Sequence, residues 1–164
     1  MTLGLTIFTL VHVVISLIGI LSGFVVAYGF LAARRLDGWT ATFLASTVLT
    51  SVTGFLFPFH HFMPSHGVGI VSLIVLAVAI FARYGRHLTS AWRRSYVITS
   101  VIALYLNVFV LIVQLFLKVP ALKGMAPTQT EPPFKITQLA LLVLFVVLTI
   151  GAAIRFRNEQ VRSA

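Results

Sequence analysis

The sequence predicts an all-α fold: one polytopic membrane helix bundle over residues 1–164, with five transmembrane helices, the N-terminus outside and the C-terminus cytoplasmic. Three observations carry this expectation. The chain is 59% hydrophobic and only 9% charged, with a mean hydropathy of +1.06, more apolar surface than a water-soluble core of this size can use. Its apolar runs reach about 20 residues or more, the length that crosses a bilayer as helix. Finally, its basic residues sort by position. Every arginine (Arg34, Arg35, Arg83, Arg86, Arg93, Arg94, Arg155, Arg157, Arg162) falls in or at the edge of the first gap, the third gap or the C-terminal tail. Every lysine (Lys118, Lys123, Lys135) falls at the fourth gap, and the second gap has none. Such alternation is the positive-inside pattern, and an even span count would put the tail arginines on the wrong side.

Each span has its own start and stop. The first, 3–33, ends at Arg34 and Arg35 and exceeds the crossing length, so it must tilt or project. No positive stretch precedes it, so a retained helix is expected and not a cleaved signal. The second, 39–57, is closed by Pro58, which disfavours helix in the residue before it. The third, 66–84, has Pro64 and Ser65 as its cap and stops before Gly85. The fourth, 91–117, ends at Lys118 and Pro120. The fifth, 133–154, opens on Pro132 and Pro133, which a first helical turn tolerates, with Thr130 as its cap and Glu131 favourable beside the positive helix end. The one long loop, 118–131, reads as a stiff connector.

The helix faces suggest packing. His12, Ser16, Gly19, Gly23 and Ala27 share one face of the first helix, and Gly19 to Gly23 is a small-residue step that permits close approach. The second helix is rich in hydroxyls (Thr40, Thr42, Ser46, Thr47, Thr50, Ser51, Thr53), which can bond their own i−4 carbonyls. On the fourth, Ser100, Ala103, Asn107 and Gln114 form a stripe. Asn107 sits roughly 16 Å deep by helical rise, so its amide needs a partner on the hydroxyl surface of the first or second helix.

Function is less legible. A net charge of +9 is explained by retention of cytoplasmic loops, with no basic patch interleaved with aromatics, so no nucleic-acid partner is expected. The absence of cysteine excludes disulfides, thiolate metal sites and covalently attached haem. No charge falls in a span interior, which weighs against proton pumps, ion-coupled transporters and voltage sensors. The candidate site is on the outer side. His60, His61, Met63 and His66 lie in the second gap, imidazole and thioether together suiting copper. His12, with Gln114 and Asn107, is the candidate set for a haem b, quinone or lipid headgroup, His12 being the only histidine well inside a span.

Four stretches, 50–58 (TSVTGFLFP), 65–69 (SHGVG), 105–110 (YLNVFV) and 126–134 (APTQTEPPF), together resemble a group of small uncharacterised integral membrane proteins of proteobacteria. The resemblance covers most of the chain and implies a helical protein of the bacterial inner membrane. It implies no catalytic residues. With no nucleophile–base pair, buried charge or cofactor motif in view, the leading expectation is a non-catalytic protein acting through lipids, a membrane-protein partner or its own oligomer, as accessory subunits do. The alternatives are an outer-face histidine site for copper, haem or quinone, and an oligomeric pore or carrier for a neutral solute.

Overall fold

Each apolar run condenses into one helix. The computed structural model describes residues 3–57, 64–89 and 91–156, and its regular elements are all helical. They are α1 (Leu3–Leu31), α2 (Asp37–Gly54), α3 (Pro64–Ile80) continued by a widened π-type turn (Phe81–Gly85), α4 (Ala91–Lys118), the short α5 (Pro120–Met125) and α6 (Pro132–Arg155). α1 packs on α2, α2 on α3, α3 on α4 and α4 back on α1, closing a ring of four. α6 lies along α1 and α4, outside that ring.

The side chains that fill the ring are apolar and close-packed: Phe43, Leu76, Tyr96, Val97, Val101 and Leu104 are each exposed by 1% or less. The outward faces are equally apolar. Leu10, Leu21, Leu139 and Val147 are each more than 60% exposed, a surface that water would not tolerate over such an area and lipid would. Four helices are both long and apolar enough to cross a membrane: α1, the run His66–Gly85, α4 and α6. α2, 18 residues long, is not among them because its hydroxyls lower its hydropathy.

Gly19 and Gly23 make the close approach possible. A Cβ on Gly19 would lie 3.2 Å from both Ser46 Oγ and Thr47 Oγ1, and one on Gly23 would lie 2.6 Å from Leu104 Cδ1 and 2.9 Å from Phe43 Cε2. The small-residue step of α1 is therefore where α2 and α4 reach it.

The gaps segregate to the two ends of the bundle. Arg83, at the end of α3, donates to the carboxylate of Asp37 at the start of α2, and Arg155 Nη1 donates to the Leu31 carbonyl at 3.4 Å. These bonds draw the arginine-bearing first gap, third gap and tail start to one end, called here the arginine end. At the other, Gln129 Nε2 donates to Val113 O at 2.9 Å, and Phe116 meets Phe134 edge-on with ring centroids 5.3 Å apart.

Several local expectations need correction. Pro64 belongs to α3 itself, where a first-turn proline costs no hydrogen bond. Gly85 does not close that helix in a left-handed conformation. The positive φ values fall at His87 (47°) and Leu88 (57°), where the Leu88 N–H reaches back to Ala82 O at 3.1 Å and its side chain is 4% exposed. That buried contact offsets the strain of the two left-handed residues. Gly85 serves packing, since a Cβ there would lie 2.8 Å from Phe81 Cδ2. The loop 118–131 is not a plain connector: Pro120, expected as a stop, sits in the first turn of α5.

Thr130 does not cap α6. Glu131 occupies the cap position, without a side-chain cap bond, and its carboxylate instead accepts from Thr128 Oγ1 at 2.8 Å, Thr128 N at 3.2 Å and Thr130 N at 3.0 Å. A slight desolvation works to raise the Glu131 pKa, but these hydrogen bonds outweigh it and hold the carboxyl below the usual carboxylate range. Because the folded value is depressed, the bonds stabilise the loop above the ordinary glutamate pKa and are lost as pH falls through the folded value. A carboxyl-carbon NMR titration is expected to show Glu131 titrating below a free glutamate, and Thr128→Val is expected to move its midpoint upward; an unmoved midpoint contradicts the assignment.

Candidate functional site

His12 and His66, the two described histidines of the candidate site read from the sequence, pack against the same structural feature, the C-terminal turn of α2. From α1, His12 Nδ1 lies 2.8 Å from Thr53 Oγ1, and its ring meets Phe57 edge-on with centroids 5.1 Å apart. The hydroxyl proton of Thr53 is already directed to Leu49 O at 2.6 Å, so the hydroxyl accepts and Nδ1 is the donor. The Nε2 lone pair of His12 is then the acceptor end of the ring. From α3, His66 is 6% exposed and stacks on Phe55, centroids 5.8 Å apart.

The rest of the predicted set does not gather there. Gln114 is exposed on α4, so the partner of His12 is Thr53 and not Gln114. His60, His61 and Met63 lie outside the described residues. Among the described residues, no three His, Asp or Glu side chains are close enough to hold a metal ion.

Asn107 behaves as its depth requires. Its Nδ2 donates to Thr47 Oγ1 at 3.3 Å, beside the point where Gly19 lets α1 approach. Nearby, Ser51 donates to Ser72 Oγ at 3.2 Å, joining α2 to α3, and Gln138 Nε2 donates to Phe109 O at 3.3 Å, joining α6 to α4. Of the remaining α2 hydroxyls, Thr42, Ser46 and Thr53 turn to their own helix, to Gly38 O, Thr42 O and Leu49 O at 3.0, 2.6 and 2.6 Å, while Thr50 Oγ1 is buried without a partner. Asn107→Leu is expected to destabilise the protein by about 1 kcal/mol, the usual size of an interhelical bond in a membrane protein. A cycle with Thr47→Val, read by denaturation in mixed detergent micelles, should show coupling; strictly additive effects would break the assignment.

A second polar centre sits at the arginine end. Arg83 bonds Asp37, its Nη1 donates to the Tyr96 hydroxyl at 3.3 Å, and that hydroxyl donates to Thr40 Oγ1 at 3.4 Å. The guanidinium also lies over the Tyr96 ring, 5.3 Å from its centroid. Tyr96 is fully buried and meets Phe30 edge-on at 5.4 Å. Phe156 completes this aromatic knot, 5.1 Å from Phe30. Ten residues on from Arg83, Arg93 is only 8% exposed. Sequence reasoning missed both inward arginines because the topology rule treats every basic loop residue alike. The available signal was Asp37, the one acid of the first gap, within reach of an arginine from another segment.

The fold and its polar centres thus define a class: an all-α bundle with four helices suited to crossing a membrane, held together by interhelical hydrogen bonds. No protein-family model, curated protein or solved structure matches the chain.

Proposed function

We propose that this chain is a five-span protein of the bacterial inner membrane, N-terminus outside and C-terminus cytoplasmic, that works without catalysis through membrane partners or lipids, as an accessory subunit does. The observation that carries the non-catalytic reading is the use made of the polar side chains. His12 is bonded to Thr53, Asn107 to Thr47 and Gln138 to the α4 backbone, so the groups suited to chemistry serve helix pairing. What is left for interaction is the apolar outer surface, broadest on α6, where Ile136, Leu139, Val143, Val147, Ile150 and Ile154 are all exposed.

The fifth span of this reading is α2. At 18 residues it is about 27 Å long, close to the hydrocarbon thickness, and it packs along α1. Hydropathy scales price its hydroxyls as if they faced lipid unbonded. Those of Thr42, Ser46 and Thr53, bonded to their own carbonyls, cost far less. The sorting of arginines and lysines to opposite ends supports the orientation.

The test is purification at native expression in mild detergent. Co-elution of a stoichiometric second membrane protein, retained on crosslinking, is the expected result; a solitary species contradicts the accessory role. One observation favours a second reading, an outer site for haem, copper or quinone: the Nδ1–H of His12 is fixed by Thr53, leaving Nε2 with its lone pair. An absorption spectrum and elemental analysis of protein prepared without chelator decide it, a colourless and metal-free sample counting against haem and copper.

A further inference from the structure

We propose that the arginine end binds the phosphate of an anionic phospholipid through Arg93. The proposal rests on the reading that this end meets the cytoplasmic membrane surface, and it adds a specific lipid site to that reading.

Arg93 sits in the first turn of α4 on the bundle-facing side, next to the face that carries Tyr96 and Val97. It is more than nine-tenths buried, and its Nε has no hydrogen-bond partner. A guanidinium held out of water without a counter-charge is unfavourable. The described acids do not supply one: Asp37 is engaged with Arg83, and Glu131 bonds Thr128 and Thr130 at the opposite end. Topology does not explain the burial either, because the positive-inside rule asks only for solvated charge. The unmet requirement at Arg93 is therefore an anion.

The surroundings say which kind. Tyr28, Trp39 and Tyr84 are 64%, 51% and 52% exposed near the helix ends at this level, and Arg86 lies over Trp92, 5.7 Å from its centroid. Exposed tyrosine and tryptophan mark the headgroup depth of a membrane protein. Arg93 thus lies at the depth of lipid phosphates, where a guanidinium can engage two phosphate oxygens at once. The other arginines of this end supply the field that concentrates anionic lipid there.

The experiment uses the full chain in nanodiscs of phosphatidylcholine with increasing phosphatidylglycerol, following the unfolding midpoint. Phosphatidylglycerol is expected to raise the midpoint of the wild type. Arg93→Gln is expected to shift the half-saturating lipid fraction upward about fivefold, the usual weight of one basic residue at an anionic surface. Arg94→Gln, an equal charge loss at an exposed neighbouring position, is expected to shift it less than about twofold. Should Arg93→Gln not fold, Arg93→Lys keeps the charge without the fork and is expected to bind more weakly than wild type. Equal shifts for the Arg93 and Arg94 variants overturn the site in favour of a diffuse field. A rise given by inorganic phosphate in pure phosphatidylcholine discs, lost in the Arg93 variant, overturns the lipid in favour of a soluble anion. Nanodiscs expose both faces, so failure here rejects the lipid site and leaves the proposed orientation standing.

Discussion

Gly23→Leu lowers the unfolding midpoint of the protein in detergent by on the order of 5 °C, the largest effect expected of any single substitution in α1. Even a bare Cβ at this position would stand 2.6 Å from Leu104 Cδ1 and 2.9 Å from the Phe43 ring. Both neighbours are 1% exposed and hemmed in by the core, so neither can yield without moving a helix. Overpacking of this kind costs about 1–3 kcal/mol, and for a chain of this size each kcal/mol is worth roughly 2–4 °C. Gly4 and Gly38, with no heavy atom within 4 Å of a built Cβ, provide the comparison: Gly4→Leu and Gly38→Leu should leave the midpoint nearly unchanged. If all three variants melt together, α1 does not approach α2 and α4 as described.

The second large effect is at the arginine end. Arg83→Met removes the ion pair to Asp37, the hydrogen bond to the Tyr96 hydroxyl and the contact with its ring. The expected loss is about 2–3 kcal/mol, the range for a hydrogen bond to a charged group together with a partly desolvated cation–π contact. Asp37→Asn should cost less, about 1 kcal/mol or below, because the Asp37 side chain is 76% exposed and water screens its share of the pair. The order of the two variants is the informative quantity. An Asp37 variant as unstable as the Arg83 variant would mean that the ion pair, and not the buried tyrosine, carries the interaction.

These two sites show where sequence reading reaches and where it stops. Helix existence and approximate extent were legible from apolar run length, because nothing but a helix can bury so long an apolar stretch of backbone in lipid. The need for a partner at Asn107 was legible too: an amide at that depth needs a hydroxyl on the first or second helix, and the three-dimensional packing selects Thr47 of α2. Gly19 and Gly23 announced a close approach through their spacing alone. Details decided by three-dimensional neighbours were not legible. The left-handed residues after α3 are His87 and Leu88, and not Gly85, because the burial of Leu88 against the core outweighs the local preference for glycine. Glu131 and not Thr130 occupies the α6 cap position because its carboxylate is recruited by Thr128. Gln114 continues the Asn107 stripe in register yet is exposed, since periodicity says which way a side chain faces and not what covers it. Arg83 and Arg93 turn inward for the same reason: charge counting sets the side of the membrane, and packing sets the direction of each side chain.

The central claim is that α2 crosses the membrane together with the four longer helices, with the arginine end inside. The natural chain has no cysteine, so single cysteines introduced at chosen positions report their side without background. Gly38→Cys lies at the start of α2, Thr89→Cys between α3 and α4, and Gly124→Cys in α5, all at exposed positions. With an impermeant maleimide on spheroplasts, Gly124→Cys should label at once, and Gly38→Cys and Thr89→Cys only after the membrane is disrupted. Labelling of Gly38→Cys and Thr89→Cys from opposite sides would contradict the account by showing that α2 does not cross, and labelling of both from outside would reverse its orientation.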